Sequence, residues 1–129
     1  MSTLAFSFVK IVVSDLDAAE RFYSDALGLE TRGRAPATDS EYAQEECFLA
    51  VPGADQPQLL LIRYVNRPTP APEAWTGFAV SNVEETVTAV ERSGGKVLIP
   101  VHDVPQYKLK VAVVADPEEH IIELIQQVS

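Results

Sequence analysis

Two kinds of hydrophobic spacing alternate along this chain, period two in short runs and period three to four in longer ones, and the whole succession occurs twice. The stretch "VSDLDAAERFYSDALG" (Val13 to Gly28) is echoed by "VSNVEETVTAVERSGG" (Val80 to Gly95), an offset of 67 residues. In the first copy Ala19, Phe22, Tyr23, Ala26 and Leu27 recur at helical spacing, behind Ser14 or Asp15, either of which can accept from the free amides of an opening turn. In the second, Asn82 with Glu85 makes a capping-box-like start, and Val83, Val87 and Val90 form the apolar stripe. Gly28 and Gly95 fall where a left-handed residue would end each helix. A short apolar run precedes each helix, "FVKIVV" and "WTGFAV". Three strand-like runs follow each: "LETRGRA", "ECFLAVP" and "PQLLLIRYV", then "KVLIPVH", "YKLKVAVVA" and "HIIELIQQV". The pattern predicts an α+β chain of two βαβββ modules, residues 1–65 and 75–129, forming one domain. Residues 66–74, "NRPTPAPEA", join them as a stiff proline-rich linker.

At 129 residues with 47% hydrophobic and 22% charged content, the chain has the composition of a globular protein with a core. No run approaches the roughly 18 apolar residues of a membrane span. The start "MSTLAFSFVKIVVSD" lacks the basic region and cleavage site of an export signal, so the cytoplasm is the expected compartment. The single cysteine, Cys47, reads as a small buried hydrophobe on a strand. A net charge of −9 repels phosphate backbones and anionic headgroups, which argues against nucleic acid and membrane partners; its usual meaning is solubility, and it is weakly compatible with a cationic ligand.

The segments "VVSDLDAAERFYSDALGLE" and "DPEEHIIELI" resemble the vicinal oxygen chelate superfamily of glyoxalase I, bleomycin-resistance proteins and extradiol dioxygenases. The resemblance implies paired βαβββ modules whose curved mixed sheet surrounds a cleft, and a homodimer, in some members with the cleft shared between subunits. In metal-dependent relatives the first and last strands of each module supply histidine and glutamate ligands. Those positions carry over to Phe8 and Leu61 in the first module, with a slip of one or two residues open for Leu61, and to Trp75 and Glu123 in the second. Only Glu123 is a donor, and a divalent ion needs two or three in fixed geometry, so no metal or other cofactor is expected. The alternative is a lyase, isomerase or dioxygenase that uses nickel, zinc, manganese or iron, with new ligands such as His102 converging on Glu123. His102 reads as a loop residue in "VHDVP" and His120 as part of the "DPEEH" turn. Glu119 stands where relatives carry glycine, so that turn is expected to be of a different type if the strain of a left-handed residue is avoided.

A carboxylate between isoleucines needs a partner, water or a ligand. Alternation places Ile121, Glu123 and Ile125 on the cleft side, with Phe8, Lys10 and Val12 on the first strand, and Leu59, Leu61 and Arg63 as the expected face of the fourth. A structural ion pair of Lys10 with Glu123 is one reading. The other makes Glu123 a recognition group or general base, with Lys10 or Arg63 steadying an anion. Phe8 and Trp75 either fill the space of a lost ion or wall a site for a partly hydrophobic or cationic molecule. The loop "RAPATDSEYAQEE", with Tyr42, either closes over the cleft or is a surface excursion. A third possibility is an interaction module whose cleft has collapsed around Trp75. No serine-histidine-aspartate set, phosphate loop or nucleotide fingerprint is present.

Overall fold

The computed structural model describes residues 2–38 and 40–129; Met1, and Asp39 of the long loop, lie outside the described residues. The chain divides into two compact units, one running to Pro70 and the other from Ala71, with Asp25–Leu27 grouped with the second. In the first, β1 (Val9–Val12) leads into α1 (Leu16–Leu27), followed by β2 (Glu30–Ala35), β3 (Gln44–Ala50) and β4 (Leu59–Tyr64). In the second, β5 (Trp75–Ala79) leads into α2 (Val83–Arg92), β6 (Lys96–Val104), β7 (Leu109–Ala115) and β8 (Ile121–Gln127), with a single 3-10 turn at Pro105–Tyr107. The sheets have the same topology: β1-β4-β3-β2 and β5-β8-β7-β6, with the first pair parallel and the others antiparallel.

Each helix begins where a short polar side chain replaces a missing backbone acceptor. Asp15, not Ser14, caps α1 and accepts from the Ala18 amide at 3.0 Å; Asn82 does the same for Glu85 in α2 at 3.0 Å. Phe22 and Tyr23 meet edge-to-face at 5.2 Å and are both fully buried, so each contributes on the order of 2 kcal/mol of burial. Gly28 ends α1 in the left-handed region at φ 69°. In α2 that role falls to Gly94, at φ 98°, rather than Gly95, which instead donates its amide to the Val90 carbonyl.

The face of each sheet is fixed by its pairing. Thr31 and Arg34 bond to Glu20 on α1, and their cross-strand partners are Leu49 and Cys47, so Cys47, Leu49, Leu59, Leu61 and Ile11 form the helix face of the first sheet. All five are fully or almost fully buried. Burial raises the Cys47 thiol above its usual pKa, as its role as a core hydrophobe requires. In the second sheet Ile122 and Leu124 are buried on the helix face, and Gln126 reaches from it to the Val83 amide at 2.8 Å.

The "DPEEH" turn keeps the left-handed geometry without the glycine. Glu119 sits at φ 76°, a strain of about 1 kcal/mol, contrary to the expected change of turn type. Asp116 holds the turn in place: its Oδ1 accepts from the amides of Glu118 and His120 at 2.9 Å each, and its Oδ2 lies 2.8 Å from His120 Nδ1. Asp116 and His120 are 2% and 3% exposed, so this turn histidine is a buried structural residue.

Candidate functional site

Strand alternation sends Trp75, Gly77 and Ala79 of β5 away from α2, and their Cα partners on β8 are Ile121, Glu123 and Ile125. On β7 the partner of Glu123 is Val113, with Ala115 and Val111 beside Ile121 and Ile125. Around Glu123 the face opposite α2 is therefore apolar, with the carboxylate set among hydrocarbon side chains. Glu123 is half-buried, and among the described residues no hydrogen bond or ion pair reaches its side chain. Trp75, one alternation along the neighbouring strand, leaves 60% of its surface exposed.

His102 shares this face, because its cross-strand partner is Val111. It lies within β6, not in the loop expected from the sequence. Two bulges, between Val97 and Ile99 and between Ile99 and His102, turn residues three apart onto the same side. The His102 ring donates from Nδ1 to the Pro100 carbonyl at 2.9 Å. It stands two strands from Glu123, roughly 10 Å of backbone spacing, and the two do not make a pair.

In the first module the corresponding face carries Lys10 and Val12, with Leu60 and Ile62 opposite them on β4 and Phe48 and Glu46 on β3. Leu61 is fully buried on the other side, beside Ile11 and Cys47, so the partner of Glu123 in the repeat is Leu60, one residue earlier than expected. Arg63 and Leu59 lie on the helix face with Leu61. The Arg63 guanidinium binds Glu45 at 2.8 and 2.5 Å and borders a polar groove with Asp15, Asp17 and Arg34 at the start of α1. The expectation that Leu59, Leu61 and Arg63 share a face with Lys10 is corrected on this register.

Lys10 finds its partners within its own module, 2.6 Å from Gln44 Oε1 and 3.0 Å from Glu46 Oε1, and sits 5.9 Å from the Phe8 ring centre. Phe8, 48% exposed, borders a groove of about 630 Å³ with Phe6, Phe48, Pro57, Gln58 and Leu60. Tyr42 of the long loop packs on Arg67, 4.3 Å from its guanidinium carbon, which ties this residue to the surface of its own module. The loop is shorter than the sequence suggested, since Glu45 and Glu46 belong to β3.

The residues present do not fit a divalent ion. Of the four positions that the resemblance points to, with Leu60 in place of Leu61 on the observed register, Phe8, Leu60 and Trp75 end in hydrocarbon or an indole and only Glu123 offers oxygen. Among the described residues no three of histidine, cysteine, aspartate and glutamate gather as a ligand group. Gly77, the neighbour of Glu123, is marked in the sequence only as an isolated glycine inside the strand pattern "WTGFAV", a signal that carries no chemistry by itself.

Known proteins share this fold. A glyoxalase family protein from Bacillus cereus superposes with a TM-score of 0.84 at 21% identity, covering 100% of this chain and 97% of its own. A glyoxalase I mutant from Zea mays gives 0.77 at 24% identity over 93% of this chain and 45% of its own, so this chain spans about half the length of the maize enzyme. A glyoxylase/bleomycin resistance protein/dioxygenase domain from Frankia sp. EAN1pec gives 0.73 at 16% identity, covering 98% and 99%. No curated protein matches the sequence. Among the described residues no helix is long and apolar enough to cross a membrane. Residues 5–124 match the sequence pattern of the Glyoxalase/Bleomycin resistance protein/Dioxygenase superfamily, and the chain belongs to that superfamily.

Proposed function

We propose that this protein is a metal-free member of its superfamily that binds and sequesters a small, partly hydrophobic cation in the cytoplasm, as a homodimer. The observation that carries the reading is Glu123, a half-buried carboxylate with no protein partner among the described residues, on an apolar face beside an exposed tryptophan. An ionised carboxylate can only accept hydrogen bonds, so its complement is a donor, best a charged one. The surrounding isoleucines and valines suit an apolar body, and the Trp75 ring suits a cation over its face. A chain charge of −9 favours cations and disfavours nucleic acid. Recognition is favoured over proton transfer because, among the described residues, nothing hydrogen-bonded to Glu123 orients it or relays a proton. The exposed Leu4, Phe6 and Phe8 of the first module are surface that a second copy of the chain would cover.

The test is a calorimetric titration of wild type and Glu123→Gln with phenethylammonium, phenethyl alcohol and phenylacetate. Saturable heat is expected for the cation alone, weakened about tenfold or more by the substitution, as for loss of one charge-assisted contact. Equal binding of all three probes, or no effect of Glu123→Gln, contradicts the proposal.

A further inference from the structure

We infer that Gly77 is the specificity-determining residue of this site: it keeps a side-chain-free notch beside Glu123 into which the head of the cation fits. The inference rests on the cation-binding reading above. Gly77 is the Cα partner of Glu123 on the adjoining strand and shares its face. Glycine is normally required by a left-handed backbone or by a crowded one, and neither applies here. Gly77 is not among the residues with positive φ, and a Cβ built on it meets nothing within 4 Å. Within a strand, glycine is the weaker choice, since it costs backbone entropy and offers nothing to pack. Fold stability alone therefore favours a larger residue at this position.

The local asymmetry shows what the missing side chain leaves open. On its β7 side Glu123 is flanked by Val113, which is 5% exposed and fills its place. On its β5 side it is flanked by Gly77, and the next residues on that face are Trp75 and Ala79. A donor approaching the carboxylate is thus directed over the Gly77 backbone, with the Trp75 indole to one side. A primary ammonium suits this opening in its chemistry, because it is compact and brings three N–H donors to an acceptor-only group. A trimethylammonium head is bulkier and has no N–H, so the site should discriminate against it.

Trp75 is the chain's only tryptophan, so its fluorescence reports from the site itself. The experiment titrates n-octylammonium and n-octyltrimethylammonium, below their aggregation concentrations, into wild type, Gly77→Ala, Gly77→Val and Glu123→Gln, and records the melting temperature of each. In wild type the primary amine should bind more tightly than the trimethyl form. Gly77→Ala should weaken the amine several-fold and Gly77→Val by about tenfold or more, on the scale of one to three methyl groups forced into a fitted site. Both glycine variants should melt at or above the wild-type temperature. If Glu123→Gln weakens the amine while Gly77→Val binds it as wild type does, the notch is overturned and the cation-binding reading stands. If wild type gives no saturable change with either probe, both fail. A Gly77→Val protein that melts well below wild type would show that the glycine serves the fold, and would overturn the inference.

Discussion

Replacing Glu123 with leucine should make the fold more stable while removing ligand binding. The side chain is half-buried among Ile121, Ile125 and Val113, with no hydrogen bond or ion pair among the described residues. Two contributions favour leucine. Covering about half of a leucine side chain is worth roughly 1 kcal/mol, and relieving the partial desolvation of an unpartnered carboxylate adds on the order of 1 kcal/mol. Because unfolded chains already bury some apolar surface, the net expectation is about 1–2 kcal/mol. For a domain of 129 residues each kcal/mol moves the melting temperature by about 4 °C, so the shift should be about 4–8 °C upward. Urea denaturation should show the gain as a higher midpoint with unchanged slope. Glu123→Gln, which keeps the shape, should lie between the two proteins. A loss of more than about 1 kcal/mol in the leucine variant would refute the reasoning, because it would mean that the carboxylate serves the fold.

Three further perturbations test the physical account of the modules. The Thr76 hydroxyl is a buried group with no hydrogen-bond partner among the described residues, so Thr76→Val should stabilise by about 1 kcal/mol in urea denaturation. Asp116→Ala removes the acceptor of two amides and the buried His120 ring, and should cost about 3–4 kcal/mol, read as a drop of more than about 10 °C in melting temperature. The Thr31 hydroxyl, and after it the Arg34 guanidinium, hold Glu20 below its ordinary carboxyl pKa of 4.5. A lowered folded-state value means stability that is present above pH 4.5 and lost as pH falls through the lower value. Glu20→Gln should therefore flatten that part of a melting-temperature-against-pH curve, and a curve parallel to wild type would contradict the assignment.

What the sequence disclosed depended on whether a polar residue marks one face of a strand. In "HIIELIQQV" Glu123 is such a mark among apolar neighbours, so its own facing follows from the family strand position and parity, and Ser14 or Asp15 and Asn82 mark the helix starts because so few residue types can cap a helix. In β4 the run Leu59, Leu60, Leu61 and Ile62 is buried on both faces, so no polar position marks parity, and the counterpart of Glu123 was displaced by one residue. Only the pairing of Lys10 with Leu60 resolves it. The side taken by His102 depends on bulges in β6, which break the alternation that a sequence reading relies on. The choice of Gly94 over Gly95 was hidden because either glycine can take the left-handed turn. The partner of Lys10 was illegible for another reason: Glu46 lies 36 residues away and is brought close by strand register.

Native mass spectrometry of protein purified without chelators or metal-affinity steps separates a site that takes an organic cation from one that takes a metal. The spectrum is recorded before and after incubation with nickel, zinc, manganese and iron, and then with phenethylammonium. The expected species is a dimer that takes up no stoichiometric metal and gains the amine, with the adduct lost in Glu123→Gln. A stoichiometric metal that disappears in Glu123→Ala would contradict the organic-cation reading.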